Sequence, residues 1–146
     1  KKELVAVLSP IVSEEWGDFQ RVLRELDKRD IPLGNQRPDL YVKKLMETLH
    51  IKGRSEAVFL DRLLVCALIE ARSCERFKLL SVHIQDESLR KFYRELMISE
   101  AGHYRAFIEL AEVYQPKEAV RARWEELLQI EAEIMKQLEP RPDRMH

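Results

Sequence analysis

The chain has 146 residues, only four of them glycine, and 25 Lys and Arg against 26 Asp and Glu leave a net charge of −1. That length suits one domain with a single buried core, and the charge balance excludes a generally basic surface, though not a local basic patch. No apolar run approaches the ~20 residues of a bilayer span.

From Leu4 to Leu26 apolar residues recur at helical spacing, among them Val7, Leu8, Ile11, Trp16, Phe19 and Leu23. Pro10 interrupts this run, either as the first residue of a helix capped by Ser9 or as a kink within a longer helix. Pro32 and Gly34 make the segment from Asp30 to Asn35 a loop. A short amphipathic helix is predicted from Asp39 to His50. Ser55 then caps a long helix over Glu56 to Ser81, with a stripe through Val58, Phe59, Leu63, Cys66, Ala67, Phe77 and Leu80. Cys66 and Cys74 lie eight apart on it, about 12 Å along the axis, and cannot pair. Free thiols point to a reducing cytoplasm. After a turn at His83 to Glu87, with Asp86 as a cap, helices are predicted over Ser88 to Tyr114 and Lys117 to Leu138. The tail from Glu139 to His146, with two prolines, is expected to be loose.

The connections constrain the assembly. A short turn joins the two middle helices, so they should pack antiparallel. The longer link between the first and second long helices holds the small helix. A bundle with one such crossover is the ferritin-like arrangement, here an all-α fold of one domain over residues 1–146. The chain opens on Lys-Lys-Glu-Leu already in helical pattern, so a segment upstream is expected.

Bundles of this kind hold two metal ions with one Glu from each of two helices and Glu-x-x-His from each of the other two. Residues three apart share a helix face, so one helix offers a carboxylate and an imidazole together. Two stretches fit that spacing, Glu47 to His50 and Glu100 to His103. Glu47/His50 closes a short helix, where His50 can simply complement the C-terminal dipole. Glu100/His103 gains from geometry. Glu70 and Glu100 each lie 15 residues from Gln85, so folding the two helices there brings them level, whereas Glu75 sits roughly 7 Å off that level. Both Glu70 and Glu100 interrupt apolar runs, where a carboxylate is costly unless paired or metal-bound. Two readings stay open: a metal pair, or buried carboxylates satisfied by Arg72, Arg76 or Arg105.

The stretch Ala67-Leu-Ile-Glu-Ala-Arg-Ser-Cys-Glu-Arg-Phe77, with Phe92-Tyr93 and Ser99-Glu-Ala-Gly-His-Tyr104, closely resembles the bacterial tRNA 2-methylthio-isopentenyladenosine hydroxylase family, the MiaE family. The resemblance continues through Glu14-Glu15-Trp-Gly-Asp-Phe19, Arg29-Asp-Ile-Pro32 and Ile130-Glu-Ala-Glu133, and so covers most of the chain. It implies a non-haem di-iron monooxygenase that hydroxylates the isopentenyl group of a modified tRNA adenosine. Its cofactor would be two iron ions, and its partners tRNA, dioxygen and an electron donor. Carried over by position, the implied metal ligands are Glu70, Glu100, His103 and Glu15, with Asp18 standing where the family pattern has His. No catalytic residue beyond these ligands and no substrate-binding residue is assigned.

The family's first helix, which carries the fourth carboxylate, should precede position 1; Glu3 lies more than three turns from Glu15. With that ligand missing and Asp18 altered, the chain alone is expected to hold fewer than two irons and to lack activity. A bundle short of one helix is also expected to self-associate. The rival readings are a ferritin- or rubrerythrin-like oxidase and a metal-poor helical scaffold. Cys74, Tyr104 and Phe107 read as core, and Lys43-Lys44, Lys52-Gly-Arg54 and Arg121-Ala-Arg123 as solvated helix faces rather than phosphate contacts.

Overall fold

The computed structural model describes residues 1–35, 38–49 and 55–138, and these form helices joined by turns and loops, with no strand among them. The helices are α1 (Lys2–Asp27), α2 (Leu40–Thr48), α3 (Glu56–His83), α4 (Glu87–Tyr114) and α5 (Lys117–Gln137). The predicted tail at 139–146 and His50, Lys52 and Arg54 lie outside the described residues. Among the described residues, no helix is long and apolar enough to cross a membrane. Two units are distinguished, Lys1–Pro38 and Asp39–His146.

The N-terminal unit is α1 and the chain that follows it. The helix runs through Pro10 without a break, so of the two readings of that proline the interior one holds. Proline there removes the N–H that would bond the carbonyl four residues back. The helix ends where Asp30 takes a left-handed φ of 53°. The Ile31 N–H then reaches back to the Leu26 carbonyl at 3.1 Å, the long-range bond that closes such helix ends. Pro32 prevents any resumption.

In the second unit, side chains set the helix starts. Asp39 Oδ1 accepts from the Tyr41 and Val42 N–H groups at 3.0 and 3.2 Å. Ser55 Oγ accepts from Val58 at 3.2 Å, and Asp86 Oδ1 from Ser88 and Leu89 at 2.8 and 3.1 Å. Each satisfies N–H groups that lack a partner within the helix. The predicted caps at Ser55 and Asp86 are thus the observed ones, and the turn between α3 and α4 shrinks to Ile84–Asp86.

α3 and α4 form the principal helix pair, and α5 packs on both and on α2. Leu63, Leu64, Val65, Ala67 and Leu68 are all buried, which makes the middle of α3 apolar around most of its circumference. That marks α3 as the central element of this unit. Leu96, Phe107, Leu110 and Ala111 face it from α4, and Val120, Leu127 and Ile134 form the buried stripe of α5. Arg123 of α5 grips Asp61 of α3 with both ends of its guanidinium, Nε to Oδ1 at 2.8 Å and Nη2 to Oδ2 at 2.9 Å.

Candidate metal centre

Glu70 projects from the middle of α3, and Glu100 and His103 from the middle of α4. Because the turn is short and the helices are antiparallel, the three come level. A ligating atom from each lies within 4.8 Å of the others. Glu100 and His103 are buried, at 9% and 3% exposure. His103 Nδ1 stands 3.8 Å from Glu70 Oε2. That separation is too long for a hydrogen bond. It lies within the ~4 Å that two bonds of about 2 Å to one cation can span. Two hard carboxylate oxygens and an imidazole nitrogen also form a donor set that suits iron, so the residues present fit such an ion.

The three arginines weighed as partners for these carboxylates bond other groups. Arg72 bonds Glu131 and Glu75, Arg76 bonds the Ser73 hydroxyl at 3.1 Å, and Arg105 bonds the Ala101 carbonyl at 3.2 Å. Glu75, the off-level candidate, is exposed and tied to Arg72 at 2.7 Å. Cys66 and Cys74 bracket Glu70 one turn to either side. Burial pushes both thiols above their usual range, and the charges of Glu70 and Glu100 respectively add to this. Cys74 donates to the Met97 carbonyl at 3.5 Å, a packed thiol as its position suggested.

Glu15 and Asp18 lie on α1 in the other unit, Glu15 exposed. Asp18 Oδ1 accepts from Arg21 Nη1 at 2.8 Å within its own helix. Glu47 is exposed and stands 4.0 Å from Lys43. The basic residues near the C-terminal helix form ion pairs: Arg123 with Asp61 and Glu126, and Arg121 with Glu125. Tyr104 packs against Trp124 with ring centroids 5.7 Å apart, and Phe107 is core.

One buried polar cluster escaped the sequence reading. Glu131 of α5 is 5% exposed. It accepts from the Tyr41 hydroxyl at 2.6 Å and from Arg72 Nη2 at 3.1 Å. Burial and the bond to Glu131 drive the Tyr41 phenol far above its usual range. The signal was available, because Glu131 falls between Leu127 and Ile134 on the apolar stripe of α5, where a carboxylate needs partners.

A level carboxylate–carboxylate–imidazole cluster that could hold a metal ion, on two antiparallel helices, belongs to an all-helical protein of ferritin-like fold. The model of the family described as tRNA-(MS[2]IO[6]A)-hydroxylase (MiaE) matches residues 1–146, and the chain belongs to that family. It is 36% identical over 134 residues to a Pseudomonas putida protein named tRNA 2-(methylsulfanyl)-N(6)-isopentenyladenosine(37) hydroxylase, covering 87% of this chain and 64% of that one. A Salmonella typhimurium protein of the same name is 30% identical, covering 92% of this chain and 48% of that one. The chain therefore spans less than two thirds of the length of either curated relative. Among solved structures it resembles a Synechococcus protein with aldehyde deformylating oxygenase activity, with a TM-score of 0.84 at 35% identity over 97% of this chain and 68% of that one.

Proposed function

We propose that this chain belongs to a di-iron monooxygenase that hydroxylates the isopentenyl group of 2-methylthio-isopentenyladenosine in tRNA, with dioxygen and an electron donor as co-reactants. The observation that carries the reading is the convergence of Glu70, Glu100 and His103, each with a ligating atom within 4.8 Å of the others, in a member of this family. In this reading those three residues hold iron from α3 and α4, and the family resemblance assigns Glu15 as a further ligand. Asp18, bonded to Arg21 at 2.8 Å, must give up that partner to reach a metal, so it is the weakest member of the set. The compartment that fits is the cytoplasm.

Iron would supply the one-electron and dioxygen chemistry that no side chain here carries. The chain's own residues do the rest. The Glu70 and Glu100 carboxylates balance the cationic charge, and His103 adds a neutral donor fixed by its burial. Leu96 and Phe107, both buried and each one turn from a ligand on α4, keep bulk water from the ligands. Self-association belongs to the same proposal. Val5, Val12, Trp16 and Phe19 share one face of α1 and are 62%, 67%, 61% and 42% exposed, a patch that mass action would cover.

The test is nucleoside analysis of tRNA carrying the modified adenosine, using protein expressed from the complete gene with iron, dioxygen and a reductant. The hydroxylated nucleoside should appear, and the Glu100→Gln protein should not form it. Iron-loaded protein that leaves the nucleoside unchanged would overturn the reading.

A further inference from the structure

Two turns from the metal ligands, on the same faces of the same helices, stands a pair of aromatic rings. Phe77 lies seven residues after Glu70 on α3, and Tyr93 seven residues before Glu100 on α4. Seven residues return a helix to nearly the same face, about 10 Å further along its axis. Because α3 and α4 are antiparallel, both displacements run toward the short turn at Ile84–Asp86. The rings meet there, with centroids 5.8 Å apart and planes 27° from parallel. Phe92 packs edge-on against Tyr93 at 5.4 Å, and the Arg76 guanidinium lies 5.7 Å from the Phe77 ring centre. Phe92 is buried, whereas Phe77, Tyr93 and Arg76 are half-buried. The ring pair is therefore backed by protein and keeps part of its surface open.

Cations slightly outnumber acids around this end. Lys78, Arg90, Lys91 and Arg94 surround the rings in sequence, and none of the four takes part in an ion pair among the described residues. Of the nearby acids, Glu75 is paired with Arg72, Asp86 is engaged in capping α4, and Glu87 and Glu95 are exposed on α4. Half-open rings with a guanidinium alongside, set among available cations, are the elements with which proteins hold unpaired nucleotides. The rings take the base, and the cations take the phosphates.

We propose that Phe77 and Tyr93, with Arg76, form the platform on which the purine of the tRNA substrate stacks, while Lys78, Arg90, Lys91 and Arg94 hold the phosphates of the surrounding loop. The offset of about 10 Å from the ligands is comparable with the span of a purine bearing a branched five-carbon chain. A base stacked at the ring pair would have its isopentenyl group on the side of Glu70 and Glu100, the ligands two turns away on the same helix faces. This inference rests on the tRNA reading of the site and assigns the substrate-binding residues that the reading lacks.

The experiment measures binding of an anticodon stem-loop RNA bearing 2-methylthio-isopentenyladenosine to the iron-loaded protein, by fluorescence anisotropy. Native protein should bind it, and Phe77→Leu and Tyr93→Leu should each weaken binding about tenfold. Tyr93→Phe keeps the ring and should keep the affinity, and iron content should not change in any of them. Replacing Arg90, Lys91 and Arg94 together with Ala should flatten the salt dependence of binding. Should a Leu variant fail to fold, native protein still decides: 2-aminopurine placed at the modified position should be quenched by stacking. Native protein that binds neither modified nor unmodified loop overturns the tRNA reading and this inference with it. Native binding with undiminished Leu variants, or with unquenched 2-aminopurine, overturns the platform alone.

Discussion

The Tyr41 hydroxyl donates a 2.6 Å hydrogen bond to Oε1 of Glu131, a residue ninety positions away in the chain. The same oxygen lies 3.1 Å from Arg72 Nη2, so three helices meet at one carboxylate. Hydrogen bonds to a charged group are worth about 1.5–3 kcal/mol, and truncating one partner strands the rest. Tyr41→Phe should therefore cost about 2 kcal/mol in chemical denaturation. Glu131→Leu, which strands Tyr41 and leaves Arg72 with Glu75 alone, should cost more.

A pH dependence follows from the same bond. Burial and Glu131 raise the Tyr41 phenol above its free value of 10.0. A raised folded-state value means that the protonated form is favoured by folding. Its contribution is complete below about pH 10 and declines as pH rises beyond the unfolded value. Native protein should lose stability more steeply between about pH 10 and 12 than Tyr41→Phe does. Parallel urea titrations across that range would read the difference, and identical slopes would refute it.

At the candidate metal centre, stability and binding should move in opposite directions. Without a cation, Glu70 and Glu100 place two carboxylates within 4.8 Å of each other, a repulsion that a neutral side chain relieves. Glu100→Gln should raise the melting temperature of the metal-free chain by a few degrees. It should also weaken Fe(II) or Co(II) binding by a hundredfold or more, and His103→Ala should do the same. Titration calorimetry checks the affinity, and a lower melting temperature in metal-free Glu100→Gln would count against the arrangement.

The ligand set also bears on stoichiometry. Asp18 is held by Arg21, and the family resemblance implies a His at its position. Iron bound per chain should stay below two at saturation. Asp18→His should raise that number while losing a helix ion pair worth about 0.3–0.5 kcal/mol. Elemental analysis of native and Asp18→His protein would measure it.

The two-pronged grip of Arg123 on Asp61 should distinguish guanidinium from ammonium. Both side chains are partly solvated, at 30% and 16% exposure, so the bond is screened and worth about 1 kcal/mol. Arg123→Lys keeps the charge but not the fork geometry, and should lose most of that stability. Equal stability of native and Arg123→Lys protein would show that charge alone suffices.

What the sequence revealed and what it hid differ for physical reasons. The starts of α3 and α4 were legible because Ser55 and Asp86 act on N–H groups two or three residues away. The level meeting of Glu70 with Glu100 was legible because one short turn and a fixed rise determine it. The passage of α1 through Pro10 was undecided, since cap and interior positions use the same dipeptide. The link of Tyr41 to Glu131 was not legible, because helices far apart in sequence can bring their polar residues together only through tertiary packing. Family resemblance pointed to tRNA, which neither net charge nor spacing could have done.

The three-residue turn between α3 and α4 also has a kinetic meaning. Glu70, Glu100 and His103 lie within one helical hairpin, and their convergence needs only local chain closure, the fastest class of tertiary contact to form. This part of the centre should arise early in folding, before α5 and α2 dock. A nascent chain would then already present two carboxylates and an imidazole to a passing ion, so metal capture could accompany folding rather than follow it.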